Sequence, residues 1–293
     1  MKRMGKLEVV LDTRSELAEG PVWHPGENRL YWVNIKAREI HRFNPATGKD
    51  EQWKAPADVG SLGLRRRGGL VVALKTGFFF FDPPKKFTPI VEPKDELPDN
   101  RFNDGKTDRQ GRFWAGTLYD PDESKPSGSL YRLDTDLTCR PMVDDVYASN
   151  GLAFSPDSRT MYYADSRRRT VWAWDFDAAD GTISNRRTFI ALHAGEGGPD
   201  GAAVDNDGCY WLTQPPAGRV VRYTPRGRVD RVIEMPVSQP TCVAFGGPRL
   251  DTLFITSATY KMADDKLAQE PLAGAMFAIQ PGIGGPADVY FEG

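Results

Sequence analysis

Along this chain, short apolar and aromatic runs of four to seven residues alternate with polar turns, and the period within each run is two rather than 3.6, the mark of strands. The runs come in pairs: 30–35 with 39–45, 70–76 with 77–83, 112–118 with 129–135, 160–166 with 170–177, 209–215 with 219–225, and 252–258 with 275–281. Equivalent residues Tyr31, Val71, Phe113, Tyr162, Tyr210 and Leu253 stand 40, 42, 49, 48 and 43 positions apart. Ahead of each pair lies a strand of small apolar residues: 20–23, 61–64, 104–108, 151–155, 201–205 and 242–246. A more polar fourth strand follows, as at 50–54, 187–192 and 229–235. Turn residues such as Pro25-Gly26-Glu27-Asn28 and Asn206-Asp207-Gly208 reverse the chain between strands.

Six units of four strands, each 40–50 residues long, predict an all-β fold: a six-bladed β-propeller with four-stranded blades around a central channel, one domain over residues 1–293. Residues 7–11 are expected to close the ring as the outer strand of the last blade. Only residues 262–269 carry a helical signal, enough for a turn or two. Trp23, Trp32, Trp114, Trp172, Trp174 and Trp211 recur at blade positions and are expected between blades.

Composition narrows the function classes. Lys plus Arg number 38 and Asp plus Glu 40, so no basic surface for nucleic acid or anionic membrane is expected. No apolar run approaches the ~18 residues of a spanning helix. The charged first residues run into a short apolar stretch broken by Asp12, unlike a secretory leader. Three widely spaced cysteines, Cys139, Cys209 and Cys242, fit no disulfide framework, which leads us to expect a cytoplasmic protein, a monomer by default.

In a propeller the innermost strands line the channel and their first residues share one mouth. Those residues here are Glu19, Gly60 or Ser61, Asn103, Asn150, Asp200 and Gln239. Carboxylates and carboxamides from different blades converge where the same strands are otherwise Ala, Val, Leu and Gly. Oxygen donors of mixed charge suit one hard or borderline divalent cation, with calcium, magnesium, manganese, zinc and iron(II) all open. Taken singly, each such residue equally serves a strand-start turn; it is the set in register that points to a site. No Gly-x-Ser-x-Gly elbow and no His-based metal motif occurs. His24 is placed at the far end of its strand, with His41 and His193 in structural or surface positions. Asp205-Asn206-Asp207-Gly208 and residues 175–181 have the look of calcium loops but read as blade turns.

Four blocks carry a resemblance: Ala18-Glu19-Gly20-Pro21-Val22-Trp23, Arg101-Phe102-Asn103-Asp104-Gly105-Lys106, Ser149-Asn150-Gly151-Leu152-Ala153-Phe154 and Pro199-Asp200-Gly201. Their order and spacing resemble the senescence-marker-protein/regucalcin/gluconolactonase family. The resemblance implies a six-bladed propeller that hydrolyses sugar lactones with one divalent metal. It further implies Glu19, Asn150 and Asp200 as metal ligands and Arg101 and Asn103 as substrate contacts. Some animal members of the family carry a substrate-binding glutamate where this chain has Pro121, so Asp120 or Asp122 is expected to substitute; the loops are more similar to bacterial aldonolactone hydrolases. Asp200 is the expected general base, or else orients a water activated by the ion. An organophosphate or aryl-ester hydrolase on the same site, and a non-enzymatic metal- or partner-binding propeller, are the competing readings.

Overall fold

A computed structural model describes residues 4–293. It holds 24 strands in six antiparallel four-stranded sheets, arranged as a six-bladed β-propeller. The inner strands are β2 (Ala18–His24), β6 (Val59–Leu64), β10 (Asn100–Thr107), β14 (Ser149–Phe154), β18 (Ala202–Val204) and β22 (Pro240–Gly246). Within the first five blades strands run outward in chain order. The sixth is β22, β23 (Thr252–Ser257), β24 (Ala275–Ile279) and then β1 (Glu8–Asp12), which pairs antiparallel with β24. The N-terminal strand thus closes the ring, as its position before the first repeat predicts. One short helix, α1 (Asp264–Gln269), lies within the predicted helical segment.

Each blade is apolar on both faces of its inner three strands because a blade is sandwiched between two others. Six core clusters result, one at each junction. Val33, Ile40 and Leu62 join the first two blades, and Trp23, Trp32, Phe43 and Phe254 join the last to the first. Outer strands carry the polar alternation of a solvated edge, as in β5 (Lys49–Lys54). Trp32, Trp114 and Trp211 are fully buried at these junctions, and Trp172 packs on its junction only partly buried.

Two blade turns reveal why an acidic residue follows the inner strand. Asp108 accepts from the backbone N–H of Gln110 and Arg112 and from Trp114 Nε1. Asp205 repeats the pattern with Asp207, Cys209 and Trp211, and pairs with Arg222 at 2.7 Å. These carboxylates are saturated with protein donors, so the calcium-loop look of Asp205–Gly208 is a turn pinned to the core.

Residues 282–293 cross the far end of the channel. They bond to Trp23, Leu64, Gly111, Asn206 and Leu250, which belong to five different blades, and Phe291 is fully buried beneath them. Only a space of about 40 Å³ remains there, beside Lys106, Arg109 and Asp288. The opposite mouth stays open.

Candidate active site

The mouth residues owe their aim to bulges. Pairing of each inner strand with its neighbour shifts register between Glu19 and Val22, between Phe102 and Gly105, and between Asn150 and Ala153. An extra residue in one strand bends it and re-aims a side chain out of the pleat. Gly20 and Gly151 follow Glu19 and Asn150 with φ of 52° and 64°, a left-handed backbone that costs glycine almost nothing. The Glu-Gly and Asn-Gly pairs are therefore the local code for turning those oxygens toward the axis. Asp200 is held by its own N–H to Thr213 O and by Gly201 N–H to Thr241 O of the next blade.

The bulged strands β2, β10 and β14 bring Glu19, Arg101, Asn103 and Asn150, and the segments just ahead of β18 and β22 bring Asp200 and Gln239, to the walls of one cavity of about 180 Å³. Their side chains form a hydrogen-bonded arc around the mouth. Lys36 Nζ donates to Asp120 Oδ1 at 2.7 Å, and Arg101 Nε donates to the same oxygen at 2.6 Å. Arg101 Nη1 donates to Asn103 Oδ1 at 2.7 Å, and Asn103 Nδ2 to Asn150 Oδ1 at 2.9 Å. Asn150 Nδ2 reaches Ser166 Oγ at 2.7 Å, which donates to Pro199 O beside Asp200. Glu19, Arg101, Asn103 and Asn150 are each under a tenth exposed. Asp200 keeps some exposure to the cavity, and its carboxylate accepts no hydrogen bond from any described residue.

Charge is unbalanced in this enclosure. Burial first, then the nearby Asp104 carboxylate, pushes the Glu19 carboxyl up to about 8, against the opposing pull of the Gly20 N–H and Arg101. Asp200 is raised well above the ordinary carboxylate range, by burial, then by Glu19, Asp104 and Glu123. Asp104, deeper in the channel, is pushed up to about 6, mainly by burial. Carboxylates sharing a low-dielectric site cannot all ionise unless a cation joins them. Among the described residues no three His, Cys, Asp or Glu side chains gather as a metal group. The mouth instead mixes two carboxylates with amide oxygens, a set that fits a hard divalent ion completed by water.

Of the residues expected from sequence, Glu19, Arg101, Asn103, Asn150 and Asp200 are brought together. Asp120 is not on the cavity wall. It lies behind Arg101, between that guanidinium and Lys36. The carboxylate that does reach the cavity is Glu123, whose N–H bonds Tyr119 O and whose φ of 55° tips the loop over the mouth. It pairs with Arg167 at 3.1 Å. Sequence spacing missed it because a turn after Pro121, not a strand period, decides where it points. His24 sits at the far end of β2 against Tyr290, and His41 is buried between Asp50 and Trp32. Asp175 pairs with Arg187 and Asn185 rather than forming part of a calcium loop.

The family described as "SMP-30/Gluconolactonase/LRE-like region" matches residues 17–259. The chain belongs to this family. A 6-deoxy-6-sulfogluconolactonase of Pseudomonas putida is 40% identical over 98% of this chain and 99% of that protein. Regucalcin of Xenopus laevis is 35% identical over 98% and 99%. The crystal structure of a calcium-binding protein, regucalcin, from Agrobacterium tumefaciens superposes with a TM-score of 0.94 at 28% identity, covering 98% of this chain and 97% of that one. Relatives named as lactonases make this a family that includes carboxylic-ester hydrolases. No helix among the described residues is long and apolar enough to cross a membrane.

Proposed function

We propose that this protein hydrolyses a sugar lactone to the sugar acid, at the cavity framed by Glu19, Arg101, Asn150 and Asp200. One observation carries the reading: two enclosed carboxylates, Glu19 and Asp200, each raised by burial, face the same cavity with the Arg101 guanidinium beside them. Glu19, Asp200 and Asn150 Oδ1 would hold one divalent ion. Such an ion, when bound, would keep both carboxylates ionised and polarise a lactone carbonyl.

The chain's own groups then divide the work. Asp200, with no protein donor on its carboxylate, is free to take a proton from a water that attacks the carbonyl carbon. When the ring C–O bond breaks, the same carboxyl returns that proton to the leaving alkoxide, giving the hydroxy acid. Arg101 spends Nε on Asp120 and Nη1 on Phe102 O and Asn103, which leaves Nη2 to donate to a lactone oxygen. Asn103 has both amide hydrogens committed, to Ser149 O and Asn150 Oδ1. It therefore meets a sugar hydroxyl only as an acceptor, and its larger task is orienting Asn150.

The named substrate of the Pseudomonas relative makes gluconolactones the first compounds to assay. Acid release in a pH-stat, with the protein first stripped by chelator and then re-supplied with single divalent ions, tests the reading. The expected result is rate lost on stripping and regained with at least one ion. Full rate in the stripped protein would remove the cation from the proposal. Absence of rate with every lactone and ion would favour a non-enzymatic binding role.

A further inference from the structure

Ser166 lies outside the residues expected at the site, yet its hydroxyl stands between two of them, Asn150 and Asp200, which belong to different blades. It follows β15 (Thr160–Asp165) and opens the turn into β16 (Thr170–Phe176). That turn is pinned from several sides. The fully buried Asp165 carboxylate accepts from the N–H groups of Arg167 and Arg168. Ser166 N–H donates to Ala148 O, and Arg169 N–H donates to Ser166 O. The Ser166 side chain lines the cavity walled by Glu19, Asn150 and Asp200.

A hydroxyl has one hydrogen to give, and here its destination is fixed. Ser166 Oγ lies 2.6 Å from Pro199 O, a carbonyl that can only accept. With its hydrogen spent there, Ser166 meets Asn150 only through a lone pair. Asn150 must therefore turn its amide nitrogen to Ser166, at 2.7 Å, and its Oδ1 the other way. On that side Asn103 Nδ2 donates to Oδ1 at 2.9 Å. One acceptor site of Oδ1 is used and the second is left for a cation. Asn103 is the contrast: its Oδ1 already accepts from the Arg101 guanidinium, which makes it a poor ligand for another cation. The row from Arg101 through Asn103, Asn150 and Ser166 to Pro199 donates in one direction, from a cation to a carbonyl. Its last member also grips the peptide that carries Asp200. The C=O end of that peptide is held by Ser166 and the N–H end by Thr213 O at 3.1 Å.

We infer that Ser166 is a positioning residue for the divalent ion, its hydroxyl holding the Asn150 amide so that Oδ1 faces the cavity. The inference rests on the cation reading proposed above for Glu19, Asn150 and Asp200. An amide held at both ends has its oxygen in place before the ion arrives. One held by Asn103 alone swings about that single bond and must be ordered on binding.

The test measures the binding of calcium alone and of manganese alone by isothermal titration. The proteins are chelator-stripped wild type, S166A, S166T, N150D and S166A/N150D, each also melted without ion and assayed for lactone turnover with it. S166A should bind at least one ion about tenfold or more weakly, while S166T, which keeps the hydroxyl, stays close to wild type. An aspartate at position 150 has no N–H for Ser166 to accept, so the S166A loss should vanish in the N150D background. A merely structural serine would lower the melting temperature and leave the ion affinity of the folded protein unchanged. Wild-type affinity in S166A overturns the inference. So does a loss of equal size with and without N150D, which would mean that Ser166 acts through the Asp200 peptide instead. Either result leaves the lactonase reading standing. Ion binding by wild type without turnover of any lactone removes the lactonase reading alone. No ion bound by folded wild type overturns the cation reading and this inference with it.

Discussion

Arg101 Nε lies 2.6 Å from Asp120 Oδ1, an ion pair that fixes a nearly buried guanidinium at the edge of the cavity without itself entering it. Removing the negative partner leaves Arg101 with fewer constraints and a charge poorly compensated. Asp120→Asn should raise KM about tenfold through loss of orientation and lower stability by ~1–3 kcal/mol. Steady-state kinetics with a thermal melt checks this; unaltered KM would mean that Asn103 alone orients the guanidinium.

Asp200→Asn removes the group assigned as base. Turnover should drop about 10²–10⁴-fold. In chelator-treated protein at pH 8 the same variant should melt higher, by the equivalent of ~1 kcal/mol, because one of two mutually repelling carboxylates is gone. A gain in stability coupled to a loss of rate is the signature of a functional strain, whereas a plain structural aspartate would lose both.

The stripped protein should lose stability as pH rises. Glu19 has an ordinary value of 4.5 and a folded value of about 8, so between these the folded state binds the extra proton. Unfolding free energy then falls with rising pH across that window, with no penalty below it and the full penalty above. Asp104, raised from 3.8 to about 6, acts with the same sign. A surface carboxylate lowered by pairing, such as Glu51 at about 2, acts below this range. Melting temperatures of chelated protein from pH 5 to 8.5 should decline, and a saturating divalent ion should help most at the alkaline end. A rise over that span would contradict the charge argument.

Asp205→Asn tests the opposite kind of aspartate. It is fully buried and its carboxylate serves Arg222, Trp211 and two backbone N–H groups. Breaking that pair should cost about 3 kcal/mol, with lactone kinetics of the folded fraction retained. A change in cation requirement instead would revive the calcium-loop reading of this turn.

Repeat spacing alone determined the architecture, because a blade cannot bury both faces without neighbours, and six even units leave a closed ring as the consistent solution. Period-two strands, Gly and Asx turns, and the unpaired strand before the first repeat determined blade count and closure. Glu19, Asn103, Asn150 and Asp200 were legible for the same reason: each lies in or just ahead of the first half of an inner strand, and repetition brings those segments to one mouth. The tertiary structure alone decided the rest. Asp120 and Glu123 are three residues apart in a loop with no repeat to calibrate it, and only the turn around Pro121 sends one behind Arg101 and the other over the cavity. Residues 282–293 carry no blade pattern, yet they seal the far end through bonds to five blades. Raised carboxyls also depend on assembly, since desolvation and mutual repulsion arise only when residues some 180 positions apart share one dry space.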